Sequence, residues 1–241
     1  VLYSHYTTWA LKEKIGEKTY KMHYAVSIFL VLQAVLGYVT VDLDNAPWTV
    51  SIHLFMALMF TTSLLAVGLF WWEGENELPE YFKVSNADKI KPILWYSSAI
   101  LLVQLLIGAY LSTSYHRAAC GIGFYEGWPL CGNSIIPDLA KFGILLQFGH
   151  RMGAVVIGAA LIWMRIKIIE LTSNLAITKI FEIMLGFYFL NILLGGIYII
   201  SATDGDFPEW ISLLHLLIGV LTFLTSAFAY LICTIPKELK I

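Results

Sequence analysis

Six apolar segments, each long enough to cross a lipid bilayer, constrain this chain to a helical membrane fold. A helix needs ~20 apolar residues to span the hydrocarbon, and a backbone in lipid satisfies its hydrogen bonds only in helices or closed barrels. Only 13% of the 241 residues are charged, against about 25% in soluble domains. We therefore predict an all-α, polytopic membrane helix bundle with six transmembrane helices, at about 24–41, 48–72, 92–114, 139–164, 176–201 and 209–232.

The basic residues predict the orientation of these helices. Cytoplasmic loops carry an excess of Lys and Arg, and one side of the predicted bundle holds Lys12, Lys14, Lys18, Lys21, Lys83, Lys89, Lys91, Arg165, Lys167, Lys179, Lys237 and Lys240. The opposite connections hold Asp42, Asp44, Asp204, Asp206 and Glu209, with Arg117 and Lys141 as their cations. We expect a multi-pass protein of the cytoplasmic (inner) membrane with both termini of this chain cytoplasmic. No basic stripe suggests a nucleic-acid partner; the expected surroundings are the lipid bilayer.

An internal repeat divides the segments into three hairpins. The first helix of each carries an amide residue and, four residues later, a glycine: Gln33 and Gly37, Gln104 and Gly108, Asn191 and Gly195. An outward connection, a proline and a helix with one histidine follow each time; those histidines are His53, His150 and His215. The glycines suit either close helix packing or a flat ligand, and for any single glycine the packing role is at least as good an explanation.

The histidines are the candidate ligands of a haem iron. An ionisable residue inside a membrane is costly and is a functional hypothesis by default, although one such histidine can simply bond a backbone carbonyl. Two histidines on facing helices can hold a haem axially in a bundle core. We expect His150 and His215 to do so, with Arg151 pairing with a haem propionate, since guanidinium suits carboxylates. His53 is the repeat equivalent of His215.

The connection between the third and fourth segments contains Cys120 and Cys131. On the outward side disulfides persist, so we expect this pair to close a short loop. Two free thiols or a metal site are the alternatives, and His116 is the one histidine in the loop.

The repeat is incomplete at the N-terminal end, because no helix supplies His53 with an equivalent of His150. Residues 1–23 suggest the end of a preceding helix and a cytoplasmic loop, 24–72 a hairpin, and 92–241 a four-helix unit. We expect the missing ligand to come from a hairpin that precedes this sequence, or else from a neighbouring copy.

Several stretches resemble the haem A synthase family. The sequence GAYLSTSYHRAACGIGFYEGWPLCGNSIIP (108–137), followed by LLQFGHRMGAVVIGA (145–159), is similar to the third hairpin of that family. Residues 37–40 with Pro47, Trp48 and His53 resemble its second hairpin, and residues 195–215 its fourth. The paired cysteines around Trp-Pro-Leu, the His-Arg pair and the paired histidine helices form a fairly specific set.

The resemblance implies an eight-helix protein of two pseudo-symmetric halves that oxidises a ring methyl of haem o to the formyl group of haem a for cytochrome oxidase assembly. It places the cofactor haem b, with its iron, between His150 and His215, and the substrate haem o at His53. The family's glutamate belongs to a helix not seen here, and Gln147 stands at the equivalent place before His150, so no catalytic residue is assigned. An unknown electron donor is an expected partner, together with either haem o synthase or a second copy of the chain.

Two other functions remain open from the residues. A bis-histidine cytochrome b would transfer electrons without altering a porphyrin. A cofactor-free transporter would use the histidines structurally, with midplane sites as in other repeats. The cysteine loop favours the enzyme.

Overall fold

The computed structural model describes residues 2–75 and 79–235; Lys237 and Lys240, used above for orientation, lie outside them. Within these ranges the elements are α1 (Leu2–Ala10), α2 (Lys12–Asp42), α3 (Pro47–Glu75), a 3₁₀ turn (Glu80–Phe82), α4 (Ala87–Thr113), β1 (Phe124–Tyr125), β2 (Trp128–Pro129), α5 (Phe142–Leu171), α6 (Leu175–Ile200) and α7 (Glu209–Thr234).

Helices α2 to α7 are the six described helices long and apolar enough to span a membrane, which confirms the predicted all-α polytopic bundle. Pro47 begins α3, a position that suits proline because no helical N–H is needed there. Asn174 caps α6, since its side chain accepts the backbone N–H of Ile177. Helix α5 ends at Leu171, beyond the predicted Met164. Good helix formers such as Arg165 and Lys167 continue the helix past the apolar stretch.

The N-terminal part differs from the expected cytoplasmic loop. After α1, helix α2 begins at Lys12 and runs to Asp42, with a break only at Gly16, where φ is 77°. That angle lies in the left-handed region that favours glycine. The lysines and glutamates around it favour helix, so residues 12–23 form a kinked helical extension rather than a loop.

Helices α4 to α7 form a ring. Helix α4 packs against α5 and α7, and α6 packs against the same two helices. Helices α5 and α7 therefore stand opposite each other across the bundle. The hairpin α2–α3 joins this ring through α3, which contacts α4 and α7, while α2 lies against α3 and α1.

Candidate functional site

The core of the ring is interrupted at one level. Buried residues in α4 stop at Leu101 and resume at Leu111, and in α5 they pass from Gln147 to Gly158. The same gap separates Tyr188 from Gly196 in α6 and Ile211 from Gly219 in α7. The four gaps enclose Gly108, His150, Asn191, Gly195 and His215. Close packing is the rule in protein interiors, so a coincident gap in all four helices indicates a place for a ligand.

The half of the ring on the predicted cytoplasmic side, by contrast, is filled with apolar side chains. The main cluster includes Leu94 of α4, Leu161 of α5, Phe181 of α6 and Phe223 of α7. Ser97 of α4 and Ser226 of α7 add an interhelical hydrogen bond of 2.7 Å there. This half holds the helices in place for the half that carries the histidines.

Each of the three histidines lies over the glycine of the preceding helix. A Cβ built on Gly108 would come 3.0 Å from Cε1 of His150, and one on Gly195 would come 3.0 Å from Cε1 of His215. The equivalent distance from Gly37 to His53 is 3.2 Å. Because such distances are tighter than nine in ten real Cβ contacts, a Cβ at these positions would require the imidazole to shift by a few tenths of an ångström. The sequence repeat is thus also a repeat of side-chain contacts.

Different groups hold the ring nitrogens of the three histidines. His215 Nδ1 lies 2.9 Å from the backbone oxygen of Asn191. Nδ1 of His150 lies 3.1 Å from the Gln104 amide nitrogen, and Nε2 of His53 lies 3.1 Å from the Gln33 amide nitrogen. Metal-binding histidines characteristically bond a carbonyl or carboxylate through the second ring nitrogen, and His215 has that arrangement.

His150 and His215 lie on the opposite helices α5 and α7, at the level of the core gap. Within the described ranges, no three His, Cys, Asp or Glu side chains cluster to bind a metal ion directly. A haem iron needs only two protein ligands, because the porphyrin nitrogens supply the rest. The two histidines on opposite helices, the space that Gly108 and Gly195 leave beside them and the core gap together fit a haem.

The two terminal nitrogens of Arg151, next to His150, have different surroundings. Its Nη1 donates to the backbone oxygens of Gly127 at 2.6 Å and Leu130 at 2.9 Å. Its Nη2 is buried and has no hydrogen-bond partner among the described residues. A buried guanidinium N–H without an acceptor is costly, so this nitrogen remains available to an anionic group such as a propionate.

The loop between α4 and α5 lies on the side that the basic residues predict to face outward, and we call it the outer loop; it is fastened over that end of the ring. Cys120 and Cys131 form a disulfide. Gln147 of α5 is buried; its Oε1 accepts the Cys120 N–H at 2.6 Å, and its Nε2 donates to the Arg117 oxygen at 2.8 Å. Trp128 lies so close to α6 that a Cβ on Gly196 would come 2.9 Å from its indole. Gln147, noted in the sequence only for its place before His150, thus positions this loop.

The same loop also contacts the connection between α6 and α7. The Arg117 guanidinium lies 4.8 Å from the ring centroid of Phe207 and pairs with Glu209 at 3.6 Å. Besides its contacts with α5 through Gln147 and with α6 through Trp128, the loop is thus also attached to the start of α7.

His53 lies in the α2–α3 hairpin, facing α2. Its Nδ1 is buried and lacks a partner within the described residues. A cavity of about 320 Å³ lies further along the hairpin, between α1, α2 and α3, where His23, Phe60 and Trp71 are among its lining residues. Phe60 is about two helical turns from His53, so this cavity and His53 occupy different levels of the hairpin.

Comparisons with known proteins agree with these features. A family model described as "Cytochrome oxidase assembly protein" (COX15-CtaA) matches residues 1–227. The chain is 26% identical to "Heme A synthase" of Symbiobacterium thermophilum over 151 residues, which cover 61% of the chain and 47% of that protein. It is 23% identical to "Heme A synthase" of Staphylococcus haemolyticus over 212 residues, 88% of the chain and 66% of that protein.

A third relative, "Heme A synthase" of Erythrobacter litoralis, is 26% identical over 200 residues, 77% of the chain and 52% of that protein. The chain spans about half to two thirds of the length of these curated relatives. Because the family model extends over nearly the whole chain, with all three histidines inside the match, the chain belongs to the COX15-CtaA family of cytochrome oxidase assembly proteins.

Proposed function

We propose that the chain is the haem-binding part of a haem A synthase-type membrane oxidoreductase, which oxidises the methyl group of haem o to the formyl group of haem a. The observation that carries this proposal is the core gap shared by α4 to α7, with His150 and His215 on its opposite walls. The relatives' name, "Heme A synthase", supports a role in haem A formation, and the oxidation of the methyl group is our proposal. No described feature favours the electron-transfer cytochrome.

In this proposal His150 and His215 hold haem b through its iron, and the glycines Gly108 and Gly195 leave room for their imidazoles. The haem, when bound, supplies one-electron redox chemistry. Nη2 of Arg151 binds a propionate, while its Nη1 keeps the outer loop attached to α5. The loop, with its disulfide and Trp128, keeps water from the outer end of the site.

His53 would serve the substrate haem o in the α2–α3 hairpin. Its ring is held over Gly37 as the other two histidines are held over their glycines. The exposed apolar face of α2, with Ile28, Val31 and Val35, would let an apolar haem arrive from the lipid. The basic residues support an orientation with the outer loop away from the cytoplasm, and a separate electron donor completes the reaction.

The test is production of the full chain in a host that makes haem o but has no haem A synthase. Haems extracted from the purified protein are separated by chromatography. We expect haem b together with haem a, and haem b with unchanged haem o when His53 is replaced by Ala. Bound haem b without any bound haem o would instead indicate an electron-transfer cytochrome, whereas haem o that is bound but left unaltered would show that oxidation needs the second substrate-side ligand from outside these residues. A protein without haem would contradict both functions.

A further inference from the structure

The two proposed iron ligands are held by groups of opposite hydrogen-bonding character. The backbone oxygen of Asn191 can only accept, so Nδ1 of His215, 2.9 Å away, carries the proton. Nε2 of His215 therefore has a lone pair. A neutral imidazole binds a metal through such a nitrogen, so His215 already has the tautomer that iron requires.

His150 has the other tautomer. The Gln104 amide nitrogen donates to the backbone oxygen of His150 at 2.8 Å and lies 3.1 Å from its Nδ1. An amide nitrogen only donates, so Nδ1 of His150 is an acceptor and the proton is on Nε2. This tautomer is assigned from the bonding partners. Gln104 Oε1 faces α5, at 2.9 Å from where a Cβ of Gly153 would lie.

We propose that Gln104 is a positioning residue that controls His150 as an iron ligand, an inference that rests on the proposed function. Before haem binds, its amide N–H holds His150 in the Nε2–H form. When Nε2 binds iron, its proton leaves, Nδ1 takes up a proton, and the imidazole stays neutral. The Gln104 amide then turns so that Oε1 accepts the new Nδ1–H. His215 is the anchoring ligand and His150 the adjustable one.

The first hairpin has a glutamine in the same place but bonds the other ring nitrogen. Gln33 stands at the position of Gln104, four residues before the glycine, and its amide nitrogen lies 3.1 Å from Nε2 of His53, whose Nδ1 has no partner among the described residues. In the third hairpin the equivalent residue is Asn191, whose side chain is one methylene shorter. There the backbone oxygen bonds the histidine, and the buried Oδ1 of Asn191 has no partner among the described residues. The ligand with the fixed tautomer is thus the one that lacks the glutamine.

The experiment compares Gln104→Glu and Gln104→Leu in the full chain, produced in a host that makes only haem b. A carboxylate accepts the Nδ1–H permanently and increases the donor strength of the imidazole. Gln104→Glu should therefore keep the bis-histidine spectrum and lower the midpoint potential. Gln104→Leu removes the acceptor and should raise the potential and the high-spin fraction. Gln33→Leu, the repeat-equivalent change, is the control and should leave the potential of this haem unchanged.

Two further measurements hold even if Gln104→Leu does not fold. In the haem-free protein with ¹⁵N-labelled histidine, His150 should be in the Nε2–H form, and Gln104→Glu should convert it to the Nδ1–H form. His150→Ala should retain a five-coordinate, high-spin haem on His215, whereas His215→Ala should lose most of its haem.

An unchanged potential and spin state in both Gln104 variants, or an Nδ1–H tautomer of His150 in the haem-free chain, would overturn the inference. Absence of a bis-histidine spectrum in the unsubstituted protein would overturn the proposed function instead.

Discussion

At the scale of the residue, a hydrogen atom in place of a methyl group decides how close each imidazole lies to its neighbouring helix. A Cβ added to Gly108 of α4 or to Gly195 of α6 would lie 3.0 Å from a histidine carbon. A Cβ added to Gly186, which is also in α6, would have no atom within 4 Å. Replacement of glycine by alanine should therefore disturb the structure at Gly195 and be tolerated at Gly186, although both residues lie in α6.

We expect Gly195→Ala to push the His215 ring out of position. Overpacking costs about 1–3 kcal/mol, so haem retention should fall by roughly an order of magnitude. Gly186→Ala is the matched control and should leave haem content unchanged. The measurement is the haem-to-protein ratio after purification. Equal ratios in the two variants would show that the space at Gly195 is not needed to position His215.

Replacing His150 or His215 with Ala should remove the bis-histidine optical spectrum, because each side chain is proposed as an axial ligand of the same iron. Reduced-minus-oxidised spectra of the two variants measure this. A low-spin spectrum that survives both substitutions would move the haem to another site.

The sequence shows a glycine ahead of each histidine helix and suggests close packing or a flat ligand for it, but it indicates neither the contact between each glycine and histidine nor the hydrogen bonds of the amides. The spacing of Gln104 and Gly108 is visible in the repeat, so their shared helix face follows from helical periodicity. The bond from Gln104 to the backbone oxygen of His150 depends on how α4 and α5 are packed. Gln147 was noticed only as a residue before His150, because nothing local indicates that it bonds the loop.

At the scale of the element, the outer loop is attached to the ring mainly by main-chain groups. Carbonyls of Gly127 and Leu130 accept from Arg151, and the N–H of Gly123 donates to the Ile199 oxygen at 3.0 Å. Backbone acceptors leave no mark in a sequence, so the loop was predictable only as a disulfide-closed segment.

Arg151→Lys should loosen this loop, because the shorter lysine side chain does not bring its ammonium to the position of Nη1, which donates to both carbonyls. Each hydrogen bond to a charged group contributes about 1.5–3 kcal/mol, so hydrogen exchange at residues 127–130 should accelerate tenfold or more. Arg165→Lys, at the opposite end of α5, is the control, since Arg165 pairs with Glu182. Exchange rates that are the same in both variants would show that Arg151 does not hold the loop.

The disulfide gives a second prediction for the loop. Cys120 and Cys131 are eleven residues apart, and closing a loop of this size stabilises a fold by about 3 kcal/mol in the chain-entropy model. Alkylation of the denatured, non-reduced protein should add one label, at Cys233, and reduction should raise this to three. Three labels without reduction would show that the bond is absent.

At the scale of the whole molecule, the two histidine sites belong to units that meet through one helix. The hairpin α2–α3 contacts the ring through α3, and His53 lies outside the ring that contains His150 and His215. His53→Ala should therefore keep the haem b spectrum and lose formation of haem a. Optical spectra and chromatography of the extracted haems measure the two properties. His150→Ala, which should lose the bis-histidine spectrum, is the comparison variant. Loss of the haem b spectrum in His53→Ala would place His53 at the cofactor instead.

The six helices were predictable because the thickness of the bilayer imposes a length on each apolar segment. The order of packing was not, since no local pattern indicates that α4 lies beside α7 and that α5 stands opposite it. The helical form of the N-terminal extension is hard to predict for a related reason. Charged residues around Gly16 suggest a loop by composition, yet they favour helix by propensity, and α2 begins at Lys12.

The closure of the ring between α4 and α7 also determines when during biosynthesis the site can exist. A chain emerges from the ribosome N-terminal end first, and α7, which carries His215 and completes the ring, is the last of the described helices. Nascent chains that lack α7 have His150 but no opposing wall. Under the proposed function, haem would therefore enter only after translation of this helix, and a prematurely terminated product would have the disulfide loop but an incomplete site.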